Sequence, residues 1–169
     1  TLELGGKGAN VIFADADDRA VERGVRHMMN DSGQSCNAPS RMLVQRPIYD
    51  RAIEIAAQVA GTIKVGSAHA PGKHIGPVVN KRQWDQIQGY IQKGIDEGAR
   101  LVAGGPGLPD GFNRGFYVKP TIFADVAPGT EMAARAPQHH HAHGRVGFGA
   151  FQGRQQLLHH GHGHGVAHL

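Results

Sequence analysis

The chain has 169 residues, 40% of them hydrophobic and 19% charged, with a formal net charge of +4. That balance fits one globular domain with a core and argues against a disordered or membrane-spanning chain; neither an apolar run of spanning length nor a charged-then-apolar leader is visible. The single cysteine rules out an internal disulfide, in keeping with a reducing, cytoplasmic setting, and no basic patch with interleaved aromatics marks a nucleic-acid surface.

The opening TLELGGKGAN has no initiating methionine and reads as a piece of something longer. Leu2 and Leu4 flank Glu3 in strand-like alternation, and Gly5 and Gly6 break the strand. A carboxylate at that strand end either reaches into a cleft or is a solvated edge charge. The run Gly5-Gly6-Lys7-Gly8 lacks the spacing of a phosphate-binding loop. Val11 to Phe13 suits a buried strand. Beyond Asp15 and Asp17 as caps, Ala20, Val21, Val25, Met28 and Met29 recur at helical spacing, with Met28 and Met29 expected in the core and His27 on the surface.

That helix leads into NDSGQSCNAPSR, residues 30–41, which surrounds Cys36 with small and polar residues. A lone cysteine is often a small buried hydrophobe, whereas a reactive one needs the access that such a loop supplies. A helix following Cys36 would bring the sulfur near the positive end of a helix dipole, which favours a thiolate.

Arg41 to Gln45 reads as a strand, and Pro47 opens a helix through Ile48, Ala52, Ile55, Ala56 and Val59 that Gly61 is expected to stop. His69 and His74 lie on a Pro/Gly-bearing loop without a cysteine or carboxylate beside them, so no metal site is expected there. A third helix spans Lys81 to Glu97, with Trp84, Ile87, Ile91 and Ile95 on one face and Gly98 as its stop; Trp84 and Tyr90 are read as packing residues. Leu101 to Ala103 is a short strand, and Phe116 to Phe123 is read as a strand pair interrupted by Pro120. Alternating strands and helices predict an α/β fold, a mainly parallel open sheet with flanking helices, and such sheets carry active loops at the carboxyl ends of their strands. Glu3 and the Cys36 stretch are assigned to that address.

The character changes near the end. No acidic residue follows Glu131, and nine of the 12 histidines lie from His139 onward. Residues 133–169 are therefore set apart from 1–132 as a His/Gly-rich tail, expected to be disordered or derived from a frameshift, although GFGAF has the makings of a short strand. The tail's histidines suit weak, adventitious metal binding rather than a preformed site.

The segments LELGGK, ADADDRAV, GQSCNAPSRMLV, IGPVV and FYVKPTIFADV, in that order and spacing, resemble the catalytic domain of the aldehyde dehydrogenase superfamily from Thr1 to about Met132. The resemblance implies oxidation of an aldehyde with NAD or NADP. Cys36 matches the family nucleophile, which forms a thiohemiacetal and then a thioester, and Glu3 matches the general base. Leu4 matches a residue whose backbone lies near the nicotinamide amide, and Gln83 one near the cofactor ribose. The backbone N–H of Cys36 matches part of the oxyanion hole. Full-length relatives are expected to form homo-oligomers. The family's separate cofactor-binding portion and its Phe-Gly-Pro turn are not seen, so the chain is expected to be inactive alone. The alternative is a non-catalytic module of the same fold.

Overall fold

The computed structural model describes residues 8–135 and 149–152. Five short strands form one sheet in the order β1-β2-β5-β4-β3. They are β1 (Ala9–Ile12), β2 (Arg41–Val44), β3 (Arg100–Ala103), β4 (Ile122–Ala124) and β5 (Gly149–Gln152). All neighbours run parallel except β3, which pairs antiparallel with β4 and forms one edge. An antiparallel edge strand on an otherwise parallel sheet is a common arrangement.

Among the described residues four helices flank the sheet: α1 (Ala20–Met29), α2 (Tyr49–Thr62), α3 (Lys81–Asp96) and the short α4 (Glu131–Arg135). Side-chain alternation along β4 shows the layering. Ile122 and Ala124 belong to one core cluster with Val25, Met28, Tyr49 and Ala56, whereas Phe123 between them joins Ile87, Ile91 and Met132 in a second. Successive residues of a strand point to opposite faces, so α1 and α2 cover one side of the sheet and α3 and α4 the other. All three residues of β4 are buried, as expected of a strand covered on both faces.

The helices follow the spacing of their apolar residues. In α1, Val21, Gly24, Val25, Met28 and Met29 are buried, while the exposed side carries Arg19 and Arg26 around Glu22. His27 is exposed, as its sequence position suggested. Helix α2 continues one residue past Gly61 because the Thr62 hydroxyl donates to the Val59 carbonyl at 2.7 Å and the Ile63 N–H to the Ala60 carbonyl at 3.1 Å. Helix α3 matches its predicted start, with the Asn80 side chain as N-cap, and ends at Asp96 with Glu97 as its cap residue. Gly94 lies where α3 meets β4 and α4: a Cβ there would come within 2.5 Å of Met132 Cε and 3.0 Å of Phe123 Cζ.

Two expectations need correction. Of Phe116 to Phe123 only Ile122 and Phe123 lie in a strand. The start of the run has no ladder partner and is held instead by its carbonyls, which accept from Val78 N–H (to Phe116, 2.9 Å) and Trp84 Nε1–H (to Tyr117, 2.8 Å). The strand expected to be buried over Val11 to Phe13 is also exposed at Val11 (42%) and Phe13 (59%), because β1 is an edge strand. Gly149–Gln152 form the central strand between β2 and β4. A strand seated between two parallel neighbours gains two ladders of backbone hydrogen bonds, which even Gly-rich residues can form.

Candidate functional site

Cys36 sits in the loop that joins α1 to β2. In a strand-helix-strand crossover the helix returns the chain to the starting edge of the sheet, so this loop lies at the amino end of β2. The sequence reading placed it at a carboxyl end. Residue types do not distinguish the two edges; the order of elements does.

No helix follows Cys36. The chain leaves α1 through a 3₁₀-like turn, Asn30–Gly33, and passes through a bend and turn directly into β2. The expected support from a helix N-terminus is therefore absent, and the loop is shaped by hydrogen bonds. Within the turn Asp31 (φ 51°), Ser32 (φ 54°) and Gly33 (φ 72°) are all left-handed. Gln34 N–H and the Gln34 side-chain amide both donate to the Asp31 carbonyl, at 3.0 and 3.1 Å. Further on, Ser35 Oγ donates to Asn37 Oδ1 at 2.6 Å, and Ala38 N–H donates to the Ser35 carbonyl at 3.1 Å. Ala38 and Ser40 are buried, 0% and 2% exposed, so the loop is anchored on its exit side by small residues that fit beneath the surface. Cys36, between these anchors, is exposed and free.

The entry side is tied to a distant segment. Ser32 is buried, and its hydroxyl donates to the Gly76 carbonyl at 3.0 Å. Met29 and Ser32 face Gly76, Val78, Val118 and Lys119 across a small, mostly apolar cleft. Sequence reasoning did not single out Ser32. The polar turn NDSG was visible, but nothing local points to a partner 44 positions away.

Glu3 and Leu4 lie outside the described residues, as do the histidines of the tail. Gln83 lies in the first turn of α3: it is 6% exposed, and its Oε1 accepts from Val79 N–H at 3.3 Å. Its side chain is thus engaged close to the start of α3. His74 Nε2 lies 2.7 Å from the Ser67 carbonyl, and among the described residues no three His, Cys, Asp or Glu side chains gather as metal ligands. None of the helices among them is long and apolar enough to cross a membrane.

Fold and loop together define a three-layer α/β domain that presents one thiol from the amino edge of its sheet. The sequence profile of the aldehyde dehydrogenase family matches residues 1–136. A 3-succinoylsemialdehyde-pyridine dehydrogenase from a Pseudomonas species is 47% identical over 126 residues, covering 74% of this chain and 26% of that protein. Among solved structures, an aldehyde dehydrogenase from Bartonella henselae superposes with a TM-score of 0.80 at 53% identity, over 89% of this chain and 30% of that one. An aldehyde dehydrogenase from Pseudomonas syringae, solved with NAD+ and octanal, gives a TM-score of 0.79 at 36% identity, over 91% of this chain and 30% of that one. The chain belongs to the aldehyde dehydrogenase family, and it spans about a quarter of the length of the curated relatives it matches.

Proposed function

We propose that this chain forms part of an enzyme that oxidises an aldehyde to a carboxylic acid with NAD+ or NADP+, and that Cys36 is its nucleophile. The observation that carries the reading is the exposure of the sole thiol at the tip of a loop anchored on both sides. An inert cysteine in a family member would be expected in the core, where small apolar side chains are packed.

The chemistry follows from the thiol. The Cys36 sulfur, deprotonated, bonds to the aldehyde carbon, and the carbonyl π pair moves onto oxygen to give a thiohemiacetal anion. The Cys36 N–H is not spent on the loop hydrogen bonds formed by Gln34 and Ala38, and it serves that oxyanion. A nicotinamide cofactor supplies the hydride acceptor, and loss of hydride leaves a thioester on Cys36. Glu3, as base, takes a proton from water as its oxygen attacks the thioester carbon, and the C–S bond breaks to return the thiolate. Leu4 and Gln83 complete the reading as residues beside the cofactor, with Gln83 acting through the shape it gives the first turn of α3. Residues 1–132 carry this catalytic portion. The setting is cytoplasmic, the longer relatives assemble as homo-oligomers, and neither membrane nor nucleic acid takes part.

The test uses the single thiol. Cys36 should react with iodoacetamide faster than a free model thiol at neutral pH, and Cys36→Ala should abolish both labelling and hydrolysis of an activated thioester. A rate equal to that of the model thiol overturns the nucleophile and leaves a non-catalytic module. The 169-residue chain by itself is expected to form no NADH from an aldehyde and NAD+.

A further inference from the structure

The geometry points to Ser32 as a positioning residue for Cys36, an inference that rests on the nucleophile reading above. Three consecutive left-handed residues, two of them not glycine, are an unfavourable way to leave a helix. Such a turn persists only where its surroundings hold it. One tie from outside the loop is the bond from Ser32 Oγ to the Gly76 carbonyl, 3.0 Å long and partly buried. Gly76 is itself fixed, because its neighbour Ile75 donates to the Lys64 carbonyl at 2.9 Å and accepts from Gly66 N–H at 3.0 Å, the bridge that pairs Val65 with Ile75.

The chain of support is therefore continuous. The Val65–Ile75 bridge holds Gly76, Gly76 holds Ser32, and Ser32 keeps the turn left-handed. The turn then sets the direction in which the next residues leave. Gln34 binds back to Asp31 with both its backbone and its side chain, so the path from Ser32 to Cys36 is short and braced rather than free to swivel. Loss of the Ser32 hydroxyl releases this brace at its outer end and leaves the partly buried Gly76 carbonyl without that donor. Cys36 then samples a wider arc, and fewer molecules hold the sulfur and the Cys36 N–H in one attack geometry.

Two substitutions separate the hydrogen bond from the backbone strain. Ser32→Gly removes the hydroxyl but adopts a positive φ readily, whereas Ser32→Asn tolerates positive φ and returns an N–H donor. The experiment attaches a nitroxide to Cys36, the only cysteine, in the full 169-residue chain, and follows amide hydrogen exchange in the unlabelled protein. In Ser32→Gly the nitroxide spectrum should sharpen to that of a mobile label, and the Gln34 and Ala38 amides should exchange about fivefold faster, as loss of one ordinary hydrogen bond implies. The amides of Ile91 and Ile122, in the core, should keep their wild-type protection. Ser32→Asn should restore both the broad spectrum and the slow exchange. Unchanged label mobility in Ser32→Gly, or equal acceleration of core amides, overturns the inference. Label mobility does not depend on the chemistry of the thiol, so this test can fail while rapid alkylation of Cys36 still holds, and the reverse.

Discussion

Tyr49 and Asp125, 76 positions apart, exchange two hydrogen bonds: the Tyr49 hydroxyl donates to Asp125 Oδ1 at 3.0 Å and accepts from the Asp125 N–H at 2.9 Å. The pair joins the start of α2 to the residue that follows β4. Arg100 Nε, at the start of β3, donates to the other carboxylate oxygen at 2.9 Å. Asp125, just past the end of β4, has φ 56°, and the Tyr49 phenol supplies the acceptor for its N–H.

Removing that acceptor should destabilise the fold. Tyr49→Phe keeps the ring, which is 2% exposed, but leaves the Asp125 N–H and carboxylate without their shared partner. The expected loss is about 1–3 kcal/mol of unfolding free energy, measured by urea denaturation at neutral pH. The same group predicts an alkaline limit. Burial pushes the Tyr49 hydroxyl up to about 12 from its ordinary 10.0, with the Asp125 carboxylate adding to the effect. The native state thus holds the phenolic proton more tightly than the unfolded chain, so this contribution is complete below the unfolded value and fades as pH rises from about 10 through about 12. Urea midpoints should fall over that window in the wild type and fall less steeply in Tyr49→Phe.

At the other end of the pH scale Asp17 is one group with a lowered carboxyl pKa. Hydrogen bonds from the Arg23 guanidinium, and then from the Arg19 backbone N–H, hold its carboxyl at about 2. A depressed carboxyl contributes stability above its unfolded value and loses it as pH falls through the folded one. The window runs from the ordinary 3.8 down to about 2. NMR titration of the Asp17 carboxyl should show the low midpoint in the wild type and a return towards 3.8 in Arg23→Gln. Because the pair is solvent-exposed, added salt should also move the midpoint upward.

The local elements were legible in the sequence wherever periodicity and end signals agreed. Val21, Val25, Met28 and Met29 marked α1, and Trp84, Ile87, Ile91 and Ile95 marked α3. Strand β5 was legible only as a possibility, since four residues beginning with glycine carry little pattern and take their place from the gap between β2 and β4. Cys36 was visible by residue type and by its small, polar neighbours. The edge of the sheet it occupies was not, because that depends on its place after α1 rather than after β1. Ser32 was hidden for a different reason: its partner is a backbone carbonyl, and any residue at position 76 would offer one.

Gln83 offers the sharpest separation between a structural and a cofactor-binding role. Asn80 Oδ1 accepts from Gln83 N–H at 2.9 Å, and Gln83 Oε1 reaches back to Val79 N–H at 3.3 Å. The arrangement resembles a capping box displaced by one residue, with two donors near the start of α3 satisfied reciprocally. Gln83→Ala should therefore lower the stability of the isolated chain by about 0.5–2 kcal/mol, the range found for lost helix caps. Gln83→Glu keeps the acceptor but buries a carboxylate at a position 6% exposed, so the desolvation cost outweighs the first-turn charge and its urea midpoint at neutral pH should also fall below the wild type's. A residue that served only the cofactor would give the opposite result: Gln83→Ala would unfold with the wild type, and its effect would be confined to NAD+ affinity in the longer enzyme.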